Sequence, residues 1–229
     1  MGRVLLLSLR IGAGTVARRE VLAGEAVIAG WTGRDPAAVE KHIKELEVLG
    51  VKRPASVPVF YRVSAARLTT GERIEALGAA SSGEVEFVLL QSSGQLWVGA
   101  GSDHTDREAE SYGVGLSKQM CDKPVAPLFW AFEDVAAHWD RLILRSHIME
   151  NGARVLYQEG AVTAMREPAD LIARYAGGRL AEGTMMFCGT LPAKGAVRAT
   201  GRFDFELEDP VRGLRIAHGY DVVTLPVAG

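Results

Sequence analysis

The sequence lacks the features of several protein classes. It contains two cysteines in 229 residues, and the spacing of Cys121 and Cys188 matches neither a zinc site nor a disulfide framework. No apolar run approaches the roughly 20 residues that a membrane-spanning helix needs. The apolar run at residues 4–9 is also too short for a signal peptide. We therefore expect a cytoplasmic protein with no membrane partner.

An excess of charge of either sign is also missing. Lys and Arg together number 26 and Asp and Glu number 28, which gives a formal net charge of −2. This balance excludes a generally basic nucleic-acid binder and a polybasic membrane-surface protein. The four tryptophans form no basic and aromatic stripe on which bases could stack. We expect no nucleic-acid partner.

The sequence does contain enough apolar residues for an ordinary globular fold. Hydrophobic residues make up 48% of the chain and charged residues 24%, and a chain of this length folds without metals or disulfides. It has no internal repeat and no low-complexity tract. We expect one domain over residues 1–229, with N-terminal strands and a helix in 1–50 and a β-rich body in 51–229.

Strand patterns predominate over helix patterns along the chain. Strands are predicted at 4–9, 26–31, 84–91, 95–98, 141–149, 154–157, 185–188, 196–207 and 221–225. Helices are predicted at 35–49, 133–138 and 168–175, and the polar segment 103–112 is compatible with a short helix. The strand at 4–9 is expected to be buried, and residues 12–14 are expected to form a loop. Turn residues at 92–94 and at 151–152 predict two β-hairpins. Because the helices do not alternate regularly with the strands, the pattern indicates an α+β fold and not a doubly wound sheet.

Two acidic segments indicate a metal site. Glu84 and Glu86 stand two residues apart on a predicted strand, so their side chains point to the same face. Two adjacent carboxylates repel each other unless a cation lies between them, and ligands with only oxygen atoms favour Mg²⁺ or Mn²⁺. The alternative is an exposed polar strand face. A second acidic segment, 103–108, follows the next strand, and this favours the metal site.

Several motifs occur in a characteristic order. They are Glu-x-Glu at 84–86, Ser-Asp-His-Thr-Asp-Arg at 102–107, Ser-Lys at 117–118, Tyr-Gln-Glu-Gly at 157–160 and the segment 180–190, which ends in Gly-Thr. This order resembles the fumarylacetoacetate hydrolase superfamily over about residue 33 to the end. The resemblance implies an α+β fold with a mixed β-roll or sandwich core, few helices and an N-terminal lid helix.

The resemblance also implies a metal centre. Glu84, Glu86 and Asp103 fall on the family's three metal ligands, which implies Mg²⁺ as the cofactor, with Mn²⁺ or Ca²⁺ as alternatives. Lys118 falls on a catalytic lysine of the family.

Three further positions are implied to contact a small carboxylate substrate. Arg107 supplies positive charge, Thr190 holds the carboxylate end, and Glu110 stands where many members have Gln. Together with Ser102 in place of Asn and Leu191 in place of Pro, Glu110 departs from the family pattern. These departures favour a side branch of the family.

A histidine and a glutamate on the first predicted helix form a candidate dyad. His42 falls within the helix's apolar stripe, and Glu45, at i+3, lies close enough to contact it. The alternative is a packed histidine with an unrelated neighbour. The family has His-x-x-Glu on a lid helix followed by Pro-x-x-Pro-x-Phe, and this chain has Pro-Ala-Ser-Val-Pro-Val-Phe at residues 54–60 in that place. The resemblance therefore implies that Glu45 orients His42 as a general base on a helix that closes over the site.

These residues together predict a Mg²⁺-dependent enzyme that converts a small 2-oxo or 1,3-dioxo acid through a metal-stabilised enolate. Hydrolysis of a C–C bond is the favoured reaction. A hydratase, a decarboxylase, an isomerase and a non-catalytic binding protein with the same fold remain alternatives. We expect a homodimer, because members of the family are usually dimers and a partner could cover exposed strand edges.

Overall fold

The computed structural model describes residues 2–48 and 53–228. In these residues the strands are β1 (Arg3–Ile11), β2 (Thr15–Ala23), β3 (Glu25–Gly30), β4 (Val59–Val63), β5 (Leu68–Thr69), β6 (Arg73–Leu77), β7 (Ser81–Ser82), β8 (Val85–Ser92), β9 (Gln95–Ser102), β10 (Thr105–Asp106), β11 (Lys123–Pro124), β12 (Leu128–Ala131), β13 (Ile143–Glu150), β14 (Ala153–Ala161), β15 (Thr184–Thr190), β16 (Arg202–Asp209) and β17 (Leu214–Leu225). The α-helices are α1 (Pro36–Val48), α2 (Arg107–Glu110), α3 (Val114–Met120), α4 (Glu133–Ala136) and α5 (Pro168–Ala176). The predicted α+β class with few helices is confirmed.

Two mixed sheets carry the architecture of the described residues. An eight-stranded sheet has the order β2-β1-β12-β9-β8-β15-β3-β4, and a five-stranded sheet has the order β14-β13-β16-β17-β6. Most neighbours are antiparallel, whereas β1–β12, β15–β3 and β17–β6 are parallel pairs. Two short two-stranded ladders, β7–β10 and β5–β11, flank them.

The core lies on both faces of the eight-stranded sheet. Along β8, Val85, Phe87 and Leu89 pack in a cluster that includes side chains from the five-stranded sheet. Val88 and Leu90 point to the opposite face and pack in a second cluster. A strand buried on both faces is continuously apolar apart from functional positions. The buried Glu86 in β8 is therefore the exception to be explained.

The N-terminal hairpin corrects two sequence predictions. The strand at 4–9 was predicted to be buried, but β1 alternates, with Leu5 buried and Val4 and Leu6 exposed. The predicted loop at 12–14 is the turn between β1 and β2, and β2 was not predicted. Charged residues occupy the middle of β2, because this strand forms the edge of the sheet and both its faces contact solvent there.

Two other predicted hairpins are confirmed. Ser93 and Gly94 turn the chain between β8 and β9, and Asn151 and Gly152 turn it between β13 and β14. All four residues have positive φ angles, which Gly and Asn adopt at low cost.

The first helix begins as predicted. The Asp35 carboxylate accepts hydrogen bonds from the backbone N–H groups of Ala37 and Ala38, at 2.8 and 3.3 Å, and Pro36 is its first residue. Ile43 is buried, whereas Lys41 and Lys44 are exposed. This is the amphipathic arrangement that the sequence indicates. The predicted end at 49–50 lies outside the described residues, and motion of α1 as a lid stays a prediction.

Other boundaries differ from the predictions. Residues 196–201 are not a strand, because β16 begins at Arg202, and β17 begins at Leu214 instead of residue 221. All of β16 pairs with residues 214–221 of β17, and this pairing extends β17 toward the N-terminus beyond its own sequence pattern. Within 103–112, only α2 is helical. The sequence did not predict the helix α3 or the short strands β5, β6, β7, β10, β11 and β12, because short segments carry no clear periodicity.

Within the described ranges, no helix has both the length and the apolar character needed to cross a membrane.

We predict that Gly99→Ala destabilises the protein. A Cβ atom at Gly99 in β9 would lie 2.6–2.8 Å from three atoms of the buried Phe129 ring. Overpacking of this kind costs about 1–3 kcal/mol of the free energy of unfolding, which urea denaturation measures. Gly201→Ala is the matched control, because no heavy atom lies within 4 Å of its added Cβ. Equal stability of the two variants would contradict this account of the packing.

Candidate metal centre

The β8–β9 hairpin brings the three predicted metal ligands together. Glu86 is the second residue of β8, Glu84 directly precedes that strand, and Asp103 directly follows β9. Val85 pairs with Ser102, and the Asp103 N–H donates to the Glu84 carbonyl at 3.0 Å. As a result, one carboxylate oxygen from each of the three acids lies within 4.8 Å of the other two.

Glu86 is buried at the bottom of the site. One of its oxygens accepts a hydrogen bond of 2.6 Å from the backbone N–H of Gly189. Burial, followed by the negative charge of Asp103, raises the pKa of Glu86 well above its usual range. A cation at this position would favour the ionised form of Glu86.

Asp103 is also buried, but two lysines compensate its charge. Lys118 Nζ donates to Asp103 Oδ2, and Lys123 Nζ lies 3.2 Å from Asp103 Oδ1. Although burial alone would raise it, the charges of Lys118 and Lys123 bring the pKa of Asp103 below its usual value. The pKa of Lys123 is lowered, because the effect of burial outweighs the attraction of Asp103. The pKa of Lys118 is raised, because the attraction of Asp103 and Glu84 outweighs the effect of burial. The sequence did not predict a role for Lys123.

The donor set fits a hard divalent cation. All three ligands are carboxylates, which suit Mg²⁺, Mn²⁺ and Ca²⁺. Asp103 Oδ1 is compensated by the Lys123 ammonium at 3.2 Å, so the fit to a metal ion rests on the donor set. Oxygen atoms from the three carboxylates come within 4.8 Å of one another, and one divalent ion can contact all of them. Glu84, Glu86 and Asp103 would hold the ion.

Arg107 connects the acidic trio to the surface. Its Nε donates to Ser82 Oγ at 2.7 Å, Nη1 donates to Glu110 at 3.1 Å, and Nη2 lies 3.2 Å from Glu84 Oε1. Arg107 is therefore paired with two carboxylates, one from Glu84 and one from Glu110.

A chain of buried hydrogen bonds joins Ser102 and His104, the residues on either side of Asp103. His104 contacts Ser81 Oγ through Nε2 and Tyr220 Oη through Nδ1, both at 2.9 Å, and Tyr220 contacts Ser102 Oγ at 2.8 Å. Burial, followed by the charge of Lys123, lowers the pKa of His104 to about 3, so His104 is neutral. His104 is fully buried, so it has a supporting role inside the fold. The sequence did not indicate that Tyr220 belongs to this network, because Tyr220 lies more than 100 residues along the chain from Ser102 and His104.

A cavity of about 330 Å³ opens beside Glu84. It is lined by Gly83, Glu84, Arg107, Tyr157, Gln158, Thr190, Leu191, Pro192, Ala193 and Val197. Thr190 Oγ1 donates to the Val85 carbonyl at 2.7 Å and accepts from Gln158 Nε2 at 2.9 Å. The hydroxyl proton of Thr190 is therefore already used. Contact of Thr190 with a substrate stays a prediction and would involve other atoms of this residue.

The predicted dyad falls on α1. The backbones of His42 and Glu45 lie in this helix, but their side chains lie outside the described part of the structure. The contact between them and their distance from the acidic trio therefore stay predictions. On the described side of the site, the Tyr61 ring of β4 lies 6.0 Å from Lys118 Nζ.

Comparison with known proteins defines the family. Residues 29–220 match the sequence family described as "Protein of unknown function (DUF2848)". The chain belongs to this family. No curated protein sequence matches the chain.

Solved structures with a similar fold support the resemblance noted in the sequence. A Burkholderia cenocepacia protein assigned as a fumarylpyruvate hydrolase is 18% identical, with a TM-score of 0.61, 99% of this chain and 98% of that chain covered. The apo form of a 2-keto-3-deoxy-D-arabinonate dehydratase is 16% identical, with a TM-score of 0.63 and 93% and 78% covered. Both have the fumarylacetoacetate hydrolase fold. The predicted fold of this DUF2848 chain is confirmed.

We predict that Glu86→Gln weakens the binding of Mg²⁺ and Mn²⁺. The substitution removes the ligand charge but keeps the side-chain shape. Loss of groups that only support a ligand costs about 10–100-fold in metal affinity, so loss of a ligand costs at least about tenfold. Calorimetric titration of each ion measures the effect, and circular dichroism checks the fold.

Glu108→Gln is the matched control, because Glu108 is an exposed carboxylate on α2 outside the trio, and we expect wild-type affinity. Undiminished metal binding by the double variant Glu84→Gln/Glu86→Gln would rule out this metal centre.

Proposed function

We propose that this chain is a Mg²⁺-dependent enzyme that converts a small 2-oxo or 1,3-dioxo acid through an enolate, with hydrolysis of a C–C bond as the favoured reaction. Mn²⁺ or Ca²⁺ could replace Mg²⁺. The observation that carries this proposal is the approach of Glu84, Glu86 and Asp103 to within 4.8 Å of one another, beside a cavity that Arg107 also lines. When bound, the ion would supply Lewis-acid stabilisation of the negative oxygen that develops on the substrate.

The chain's own cations would bind and stabilise the anionic substrate. Arg107 lines the cavity, and its guanidinium suits a carboxylate because guanidinium groups form planar, directional hydrogen bonds. Lys118 is buried against Asp103, and the raised pKa of its ammonium keeps it charged. It would hold Asp103 ionised and add positive potential where the enolate forms.

Proton transfer is proposed for His42. Oriented by Glu45, the imidazole would take a proton from water as the water oxygen attacks the acyl carbon of a 1,3-dioxo acid. The C–C bond then breaks, its electron pair enters the enolate, and the enolate takes up a proton to give the second product. Residues of α1 would close the site and exclude other water.

The structural neighbours support more than one reaction on this fold. One is named as a hydrolase and the other as a dehydratase, so hydration, decarboxylation and isomerisation remain alternatives. Hydrolysis of acetylpyruvate in ¹⁸O-labelled water would place label in the carboxylate of acetate. Pyruvate and acetate without label would exclude attack by water. A non-catalytic binding protein would bind Mg²⁺ and oxalate but convert none of the acids offered.

We predict that His42→Asn lowers the turnover of acetylpyruvate by about 10²–10⁴-fold, which is the usual contribution of a general base. Binding of Mg²⁺ and oxalate should remain, because His42 is not among the proposed ligands. Lys44→Gln, an exposed position on the same helix, should behave as the wild type. Wild-type turnover in His42→Asn would remove His42 from the mechanism.

A homodimer is proposed on separate grounds. One edge of the eight-stranded sheet is β2, and the β1–β2 hairpin exposes Val4, Leu6, Val16 and Leu22, with Val4 directly opposite Leu22. Clustered exposed apolar side chains beside a free strand edge favour association with a second copy.

We predict that sedimentation velocity at micromolar concentration detects a species of about twice the 24.6 kDa chain mass. Leu22→Lys should shift it toward the monomer, because two lysines would meet near a self-complementary interface. Val211→Lys, which changes an exposed apolar residue outside this hairpin, should leave it unchanged. A wild-type protein that sediments only as the monomer would exclude the homodimer.

A further inference from the structure

The cavity beside the acidic trio has two chemically different parts. Its polar lining, Glu84, Arg107, Gln158 and Thr190, is connected to the trio or to β8 by hydrogen bonds and ion pairs. The rest of the lining is mostly apolar and comes from Tyr157 and the segment after β15, namely Leu191, Pro192, Ala193 and Val197. An acid held at the polar part would therefore extend its other end along an apolar surface.

We infer that this cavity selects monocarboxylic 2-oxo or 1,3-dioxo acids with an uncharged, apolar tail, and discriminates against dicarboxylic acids of the same length. The inference rests on the proposed function, since it concerns the tail of the substrate whose oxo-acid end would meet the metal centre. It attributes the selectivity for the substrate's tail to Tyr157 and the segment 191–197.

The charges around the cavity favour a substrate with one carboxylate over a substrate with two. Among the described residues that line it, Arg107 is the single cation, and it is already paired with Glu84 and Glu110 at 3.2 and 3.1 Å. The lining therefore has no cation to spare for a second carboxylate.

The cations near the apolar part are already engaged. Lys194 Nζ lies 3.5 Å from Glu159. The Arg198 guanidinium pairs with Glu150 and donates to the carbonyls of Lys194 and Ala196, at 3.2 and 2.7 Å. A second carboxylate would have to displace one of these partners or lie unpaired against apolar side chains, and both are unfavourable.

The apolar part is held in place by tight packing. Leu191 is buried and packs on Gly160, where an added Cβ would lie 2.9 Å from Leu191 Cδ2. The Tyr157 hydroxyl accepts from the Arg198 N–H at 3.3 Å, and the Arg198 guanidinium lies 5.1 Å from the centre of the Tyr157 ring. A preformed apolar surface gains affinity for each methylene it covers, about fourfold per group.

The test compares 2-oxohexanoate with 2-oxoadipate, which have the same chain length but end in a methyl group and a carboxylate, respectively. Calorimetric titration in Mg²⁺ should give at least about tenfold tighter binding of 2-oxohexanoate. Equal or tighter binding of 2-oxoadipate would overturn the inference. Oxalate, which has no tail, is titrated in parallel: if oxalate does not bind in Mg²⁺, the proposed function itself fails. If oxalate binds and the two longer acids do not differ, only the inference fails.

A charge-introducing variant tests the location of this selectivity. Val197 lines the cavity and is 54% exposed, so the chain can accommodate Val197→Arg without disturbing its core. We expect this variant to bind 2-oxoadipate at least about tenfold better than the wild type, with oxalate affinity unchanged. Val211→Arg is the matched control at a position 46% exposed outside the cavity lining, and it should keep the wild-type preference. The same preference in Val197→Arg and Val211→Arg would show that the segment 191–197 does not select the tail.

Discussion

The register of the β8–β9 hairpin is the constraint on which the candidate site depends. Pairing of Val85 with Ser102 places Glu84 and Glu86 on one strand next to Asp103 at the end of the other. Buried acids this close repel one another and lose hydration, so they need compensating charge. Lys118, Lys123 and Arg107 supply it through contacts with Asp103 and Glu84. A shift of one residue in this register would turn the carboxylates away from each other.

The two sheets contribute different parts of the site around this hairpin. The eight-stranded sheet is buried on both faces near β8, which gives the carboxylates a rigid and poorly hydrated base. The five-stranded sheet supplies Tyr157 and Gln158 from β14 and Tyr220 from β17. These side chains line the cavity or support Ser102 and His104. The metal centre and the cavity are thus built from strands that belong to different sheets.

The sequence by itself determined the α+β class, the β8–β9 and β13–β14 hairpins and the beginning of α1, because these depend on local signals. These signals are turn residues with positive φ, an N-cap aspartate and alternating apolar residues. Each of them determines the conformation of only a few neighbouring residues. The pair Glu84 and Glu86 was also identifiable, because a strand places residues two apart on the same face. The order of family motifs added Asp103, Arg107 and Lys118.

Only the tertiary structure decided the rest, because it depends on contacts between distant segments. The edge strand β2 has charged residues on both faces and no clear alternation, so its pairing with β1 identifies it. Lys123 and Tyr220 become part of the site through Asp103 and His104, and their neighbours in sequence give no indication of this. The apolar part of the cavity likewise forms because packing places the segment 191–197 beside Tyr157. Local sequence sets the conformation of each segment, whereas burial, charge compensation and strand pairing set which segments meet.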